Sequence, residues 1–215
     1  MMESKASFWD IQPDGMLHVE LVRSSVRHGR MQGLEVPQGM DAANVHLIDH
    51  RDCGPSNRVG TGEASQPILA GRRVVHVGEP VAAIAAPTEA EAQAWADAIT
   101  IRVEEWAEVA DVEAALAARV RLAGDDNVYF EVGVRVGIDE PQDSEGFTAL
   151  DETFNLARQL RNVMGTIGVV VEPHADGTLS VHANGGNAAN LTAGLAVALG
   201  MEKSSIAVTT IVDRW

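Results

Sequence analysis

A single cysteine, Cys53, serves all 215 residues, so no internal disulfide can form and a reducing compartment suits the chain. Long apolar runs are also missing. None approaches the roughly 20 residues that a membrane-spanning helix needs. The opening "MMESKASFWD" has no apolar core of the kind that marks a secretory signal. Aromatic residues are scarce at 4%, which leaves Val, Ala, Leu and Ile to fill most of any interior. Basic residues are outnumbered, 16 Lys and Arg against 31 Asp and Glu, for a formal charge of −15. Such a chain repels nucleic-acid phosphates and anionic lipid, which excludes both as expected partners. It favours solubility or a basic protein partner, and a cytoplasmic location is expected. No P-loop, CxxC, nucleophile elbow or Rossmann fingerprint occurs. What is present is apolar content of 46%, enough for a packed core.

The best-organised stretch is "RRVVHVGEPVAAIAAPTEAEAQAWADAITIRVEEW", residues 72–106. Arg73 to Val77 reads as a strand, Gly78-Glu79-Pro80 as punctuation, and Val81 to Ala85 as a strand buried on both faces. Thr88 and Glu91 have capping-box spacing and open a helix, with Trp95 and Ile99 as its bulk. "ITIRVEEW" alternates as a half-buried strand. Asp111 is a plausible cap for a second helix, "DVEAALAARV". Before this stretch, "GMLHVELVRSS" alternates around Leu17, Val19 and Leu21, and "NVHLIDH" is a short strand. "RDCGPSNRVGTGEASQP" reads as a long loop. Leu17, Val81 and Ile101 are expected to share one interior.

"AGDDN", residues 123–127, looks like a boundary. Beyond it "VYFEVGVRV" and "ETFNLARQL" read as strands, with the acidic "DEPQDSEG" between them. "IGVVVE" and "LSVHA" flank a hairpin turn, "PHADGT". "NGGNAANLTAGLAVALG" is a Gly-rich loop feeding a helix that Gly200 ends, and "SSIAVTTIV" closes as a strand. The class is α/β (α+β), with domains over 8–120 and 125–215.

Three places invite a functional reading. His46, His50 and Cys53 form a possible ligand set for zinc or copper, or merely line a solvated loop mouth. Gly185, Gly186 and Asn187 precede a helix N-terminus, where free N–H groups can hold an anion; otherwise they form a Gly-rich turn with Asn187 as cap. Glu79 is either a functional carboxylate or a turn residue paired with Arg72 or Arg73. No catalytic residue emerges.

Residues 15–31, "GMLHVELVRSSVRHGRM", resemble the "GMLHAKLVRSPHAHARI" segment of xanthine dehydrogenases and aldehyde oxidases. "VVHVGEPVAAIAAPTEAEAQAWADAITIRVEEWAEVADVEAAL" is similar to their "VRYVGEPVAAVVAET" followed by "VEYEELPAVTDPEEAL". The resemblance implies the α/β-hammerhead domain of the molybdenum-hydroxylase large subunit over residues 8–120. "ETFNLARQL" resembles the "GTYRTPRQEH" strand that opens the first molybdopterin domain, anchored on Arg158-Gln159. The family's "EPHG" then falls on Gly165, Thr166, Ile167 and Gly168, and only the last glycine survives. A displaced "EPH" at Glu172, Pro173 and His174 reads as a turn. The glutamine of "TQNP" that reaches the cofactor in the family maps to Gly186. The sequence ends at Trp215, where the family enters its "GGGFG" segment. The family's catalytic glutamate lies beyond that point.

The resemblance therefore implies a truncated relative of the large subunit. It is expected to be a non-catalytic scaffold or a subunit completing a split oxidoreductase that oxidises a carbon centre with water as oxygen source. Molybdopterin would come only through a partner subunit. A stand-alone binding or assembly module, a homo-oligomer, and a metal-binding enzyme built on His46, His50 and Cys53 are the alternatives.

Overall fold

A computed structural model describes residues 8–41, 43–54, 57–60, 65–128, 130–134, 136, 152–154, 156–157, 159 and 167–211. It divides into two compact units, Met1–Tyr129 with Ile167–Trp215, and Phe130–Thr166.

In the first unit the strands run in chain order as β1 (His18–Arg23), β2 (Gly29–Glu35), β3 (His46–Asp49), β4 (Arg58–Val59), β5 (Gln66–Pro67), β6 (Arg73–Val74), β7 (Pro80–Ala86), β8 (Thr100–Glu105), β9 (Val169–Pro173), β10 (Leu179–Asn184) and β11 (Ile206–Ile211). Helices α1 (Glu89–Ala98), α2 (Val112–Leu116) and α3 (Ala188–Leu199) interleave with them. Two antiparallel sheets have the orders β1-β7-β3 and β6-β2-β8, and a mixed sheet has the order β11-β10-β9; β4 and β5 pair alone. In the third sheet β9 runs antiparallel to β10, and β11 parallel to it.

The all-apolar run of β7 is central in its sheet, and Val81 through Ala86 are all buried. Its Ala82, Ile84 and Ala86 face Ala92 and Ala96 of α1, with Val22 and Ile99 in the same cluster. Small alanines let the helix lie close to the strand, and Trp95, Ile101, Val103, Met31 and Leu34 close the edges. Thr88 caps α1 by accepting the Glu91 N–H at 3.2 Å, and Asp111 caps α2 by accepting that of Ala114 at 2.7 Å.

Val81 and Ile101 do share the interior, but Leu17 does not; it is 43% exposed. The alternation of β1 is real, yet its inward face is His18, Glu20 and Val22. These pair with Ala86, Ile84 and Ala82, the side of β7 that carries α1. Val19 and Leu21 pair with Ala85 and Ala83 on the opposite face. The expected strand at Arg73 shortens to Arg73–Val74 because Gly78 turns the chain early, at φ +84°.

β9 and β10 form the expected hairpin. Its turn is closed by His174 N–H to Thr178 O at 2.9 Å, with Gly177 at φ +84°. Asn187 caps α3, and Gly200 ends it in the left-handed region at φ +66°. Val181, Ala196 and Ile206 form a second, smaller core.

The second unit departs from the sequence reading. Among its described residues no strand occurs, and Val132, Val134, Val136, Phe154 and Leu156 are all exposed. Alternation makes a strand only where a partner supplies the ladder, and no described strand pairs with this segment. Arg158, Gly165, Thr166 and the acidic segment 139–146 lie outside the described residues.

Candidate functional site

The turn at Gly78-Glu79-Pro80 is built as a staple. Gly78 N–H donates to Ser24 O at 2.7 Å, Ser24 N–H returns to Glu79 O at 2.9 Å, and the Arg23 guanidinium donates to Gly78 O at 2.9 Å. Glu79 is buried, and its Oε2 accepts the Val75 N–H at 2.6 Å. Neither expected arginine bonds to it among the described residues. Arg73 donates to the carbonyls of Arg121 and Leu122, at 3.1 and 2.6 Å. The His76 ring lies beside Glu79, Nδ1 at 3.8 Å from Oε2. Glu79 thus satisfies a backbone donor inside a fold of the chain, which is a structural task.

The loop after β3 holds the metal candidates and does not gather them. His46 is exposed on β3, whereas the Cys53 thiol folds back toward Asp49 O at 3.7 Å. Asp49 forks onto Arg51, with Nη2 to Oδ2 at 2.5 Å and Nε to Oδ1 at 3.0 Å, and also accepts the Arg51 N–H at 2.8 Å. Among the described residues no three His, Cys, Asp or Glu side chains group to hold a metal. His46, His50 and Cys53 form no such group among the described residues. The Cys53 thiol is pushed up by burial and by Asp52 and Asp49, so it is a poor thiolate.

Asp49 carries a pH signature. Its fork with Arg51 is the largest cause that lowers its carboxyl from the ordinary 3.8 to about 2, against the opposing effect of burial. The folded value is depressed, so the stabilisation is complete above pH 4 and lost as pH falls from about 4 through 2. Arg51 is 78% exposed, which screens the pair and leaves on the order of 1–2 kcal/mol. Asp49→Asn is expected to lose that amount at pH 7 in urea melts, with wild type and variant converging below about pH 2. An equal gap at both pH values would show that charge is not the cause.

The Gly185-Gly186-Asn187 loop is tight. Both glycines have positive φ, +92° and +86°. Gly185 N–H donates to Ile211 O at 3.1 Å, and Asn187 Oδ1 accepts the Asn190 N–H at 3.1 Å. Gly186 offers no side chain, and a Cβ there would meet Leu191 at 3.2 Å. A molybdopterin of the kind the family resemblance implies needs side-chain and backbone donors turned toward it. Gly185 spends its N–H on Ile211 O and Asn187 its Oδ1 on capping α3, and Gly186 has no side chain to offer. The displaced "EPH" is likewise local: His174 Nε2 lies 2.7 Å from Ser180 Oγ, and Glu172 lies 3.5 Å from His182 Nε2. Asp176, which would have to orient His174 in a triad, instead accepts from Thr178 N–H and Oγ1–H.

Sequence reasoning missed two asparagines with backbone-holding roles. Asn57 at φ +41° exchanges two hydrogen bonds with the Leu69 backbone, and Asn127 at φ +65° makes four to the 115–123 segment. The only signal was the residue type, since Asn is the side chain that best tolerates the left-handed region.

Residues 5–107 match the family described as aldehyde oxidase and xanthine dehydrogenase, a/b hammerhead domain. A probable xanthine dehydrogenase subunit from Bacillus subtilis (strain 168) is 31% identical over 180 residues, 81% of this chain and 24% of that one. An aldehyde oxidoreductase from Megalodesulfovibrio gigas is 30% identical over 139 residues, 59% and 15% of the two chains. Among solved structures, the aldehyde oxidoreductase from Desulfovibrio gigas aligns with TM-score 0.65 at 21% identity, over 93% of this chain and 23% of that one. Quinoline 2-oxidoreductase from Pseudomonas putida 86 aligns with TM-score 0.62 at 18% identity, over 94% and 27%. The chain spans about a quarter or less of the curated relatives just described. The fold is thus mixed α/β of the aldehyde oxidoreductase type. Residues 5–107 are an α/β-hammerhead domain of the kind found in the aldehyde oxidase and xanthine dehydrogenase family.

Proposed function

We propose that this chain is a scaffold subunit of a molybdenum-hydroxylase-type oxidoreductase, completed by a partner polypeptide that carries the reacting groups. One observation carries the reading. The outer face of the β1-β7-β3 sheet, opposite α1, is apolar and open at one edge: Val19 is 59% exposed and Leu17 43%. Ala83 lies on that face between Leu21 and Ile48, and Ala85 between Val19 and His46; both alanines are buried, so the exposed apolar surface is at the β1 edge. Exposed large apolar side chains grouped on a sheet face suit a protein interface. The relatives support it from another side, since several are named as subunits, among them a nicotinate dehydrogenase large molybdopterin subunit from Eubacterium barkeri. Oxidation at a carbon centre belongs, in this reading, to the assembled enzyme. Domains over 8–120 and 125–215, and a cytoplasmic assembly, remain part of the proposal.

Purification from the native host tests it. A larger polypeptide and molybdenum are expected to co-purify with the chain. Val19→Glu is expected to reduce the captured partner at least tenfold while leaving the circular dichroism unchanged, because a charge cannot be buried there without a counter-ion. A chain that elutes alone and without molybdenum would overturn the assignment and favour a stand-alone module.

A further inference from the structure

A cavity of about 830 Å³ opens beside the turn, and its wall holds Arg58, Arg72 and Arg73 together with His50. That size lies within the range of small-molecule sites. Elsewhere in the chain, Arg27, Arg30, Arg51, Arg102 and Arg121 each pair with a carboxylate. The three arginines of the cavity do not, among the described residues. Arg58 donates from Nε to Ser65 Oγ at 2.8 Å and from Nη2 to Ser65 O, and among the described residues its Nη1 has no partner. Arg73 is anchored on two carbonyls and keeps its Nε free. The Arg72 guanidinium has no partner among the described residues, although its backbone is fixed by Met31 N–H to Arg72 O at 2.9 Å.

Three guanidiniums around one cavity repel one another, in a chain whose formal charge of −15 offers carboxylates in abundance. Among the described residues the wall holds one carboxylate, Glu79, which is buried and accepts the Val75 N–H. The described wall therefore carries a net positive charge. Guanidinium forks match the oxygens of phosphate and carboxylate in geometry as well as charge. We infer that this cavity binds a small, multiply charged oxyanion, a phosphate-bearing or polycarboxylate metabolite, with Arg72 as its principal fork and Arg58 and Arg73 at its sides. The site is independent of the scaffold role, and its ligand need not take part in oxidation.

Calorimetric titration of the full chain with inorganic phosphate, pyrophosphate and citrate, at ionic strength held constant with chloride, tests the inference. At least one of the three is expected to bind saturably with one site per chain. Tighter binding of pyrophosphate assigns a phosphate-bearing ligand, and tighter binding of citrate a polycarboxylate. Arg72→Gln is expected to weaken binding at least tenfold, the loss of a charge-assisted fork. Its side chain holds no other group in place, so the circular dichroism should be unchanged. Arg58→Gln serves as a second variant with a smaller loss. Arg27→Gln, at a carboxylate-paired surface site, should bind as wild type does. Failure of all three anions to saturate, wild-type affinity in Arg72→Gln, or an equal loss in Arg27→Gln would each overturn it.

Discussion

Ile84→Ala is expected to lower the unfolding free energy by about 3 kcal/mol, within the range for truncating a buried isoleucine. Ile84 is fully buried at the middle of β7 and lies opposite Glu20 on β1 and Leu47 on β3. Its neighbours on the same face are Ala82 and Ala86, and the helix above contributes Ala92 and Ala96. Alanines have no rotamers with which to refill a void, so most of the cavity should persist. For a domain of this size the loss corresponds to a fall in melting temperature of roughly 6–12 °C. Urea melts should show the midpoint moving with little change in slope, since the surface exposed on unfolding is nearly the same. Ile84→Val removes one methyl and should cost about 1 kcal/mol. If alanine cost no more than valine, β7 would not be the core that its sequence announces.

That core was legible because β7 and its surroundings agree at several levels. The run Val81 to Ala86 is apolar throughout, Pro80 starts it, and Thr88 caps the helix that follows. Periodicity, turn chemistry and capping point the same way, which is what makes a segment readable. β1 shows where this stops. Its alternation correctly separates Leu17, Val19 and Leu21 from His18, Glu20 and Val22, but hydrophobicity favours the wrong set for the interior. The choice is made by α1, which follows Ala86 and settles on the side of Ala82 and Ile84. β2 was missed altogether, because Gly29, Arg30, Gln32 and Gly33 break its alternation. A register shift between Met31 and Gly33 in its pairing with β8 adds to this, with Gly33 at φ +149°.

The candidate sites were less legible than the fold. His46, His50 and Cys53 lie close in sequence, yet no metal-holding group of three forms among the described residues. Cavity arginines have the opposite problem. Arg58 comes from a two-residue strand, and Arg72 and Arg73 from the edge of another sheet. No local spacing links Arg58 to the Arg72-Arg73 pair, so only the fold places all three around one space. Glu79 sits between these cases. Its structural role follows from the Gly-Glu-Pro setting, but its partner, the Val75 N–H, lies within the same turn rather than on an arginine.

Asn127→Ala should have the second large effect, about 2–4 kcal/mol for the segment it organises. The Asn127 carboxamide oxygen accepts from Leu122 N–H at 2.6 Å and Ala123 N–H at 3.3 Å. Its nitrogen donates to Ala115 O at 2.9 Å and Val120 O at 2.8 Å. Four net contributions of about 0.5–1.5 kcal/mol each, reduced by partial exposure and by water replacing some of them, give the stated range. Alanine also inherits φ +65°, which costs it roughly 1 kcal/mol more than asparagine or glycine. Two further variants separate these contributions. Asn127→Gly relieves the backbone and keeps only the loss of the side chain, so it should be milder than alanine. Asn127→Asp keeps the two accepted bonds and places a carboxylate against the carbonyls of Ala115 and Val120, so it should be no better than glycine. Hydrogen exchange reads the result directly. The Leu122 and Ala123 amides should lose most of their protection in the alanine variant, and Arg73, whose guanidinium holds the Arg121 and Leu122 carbonyls, transmits part of that loss to β6. Unchanged protection at both amides would mean that the segment is held by its apolar contacts and not by this one carboxamide.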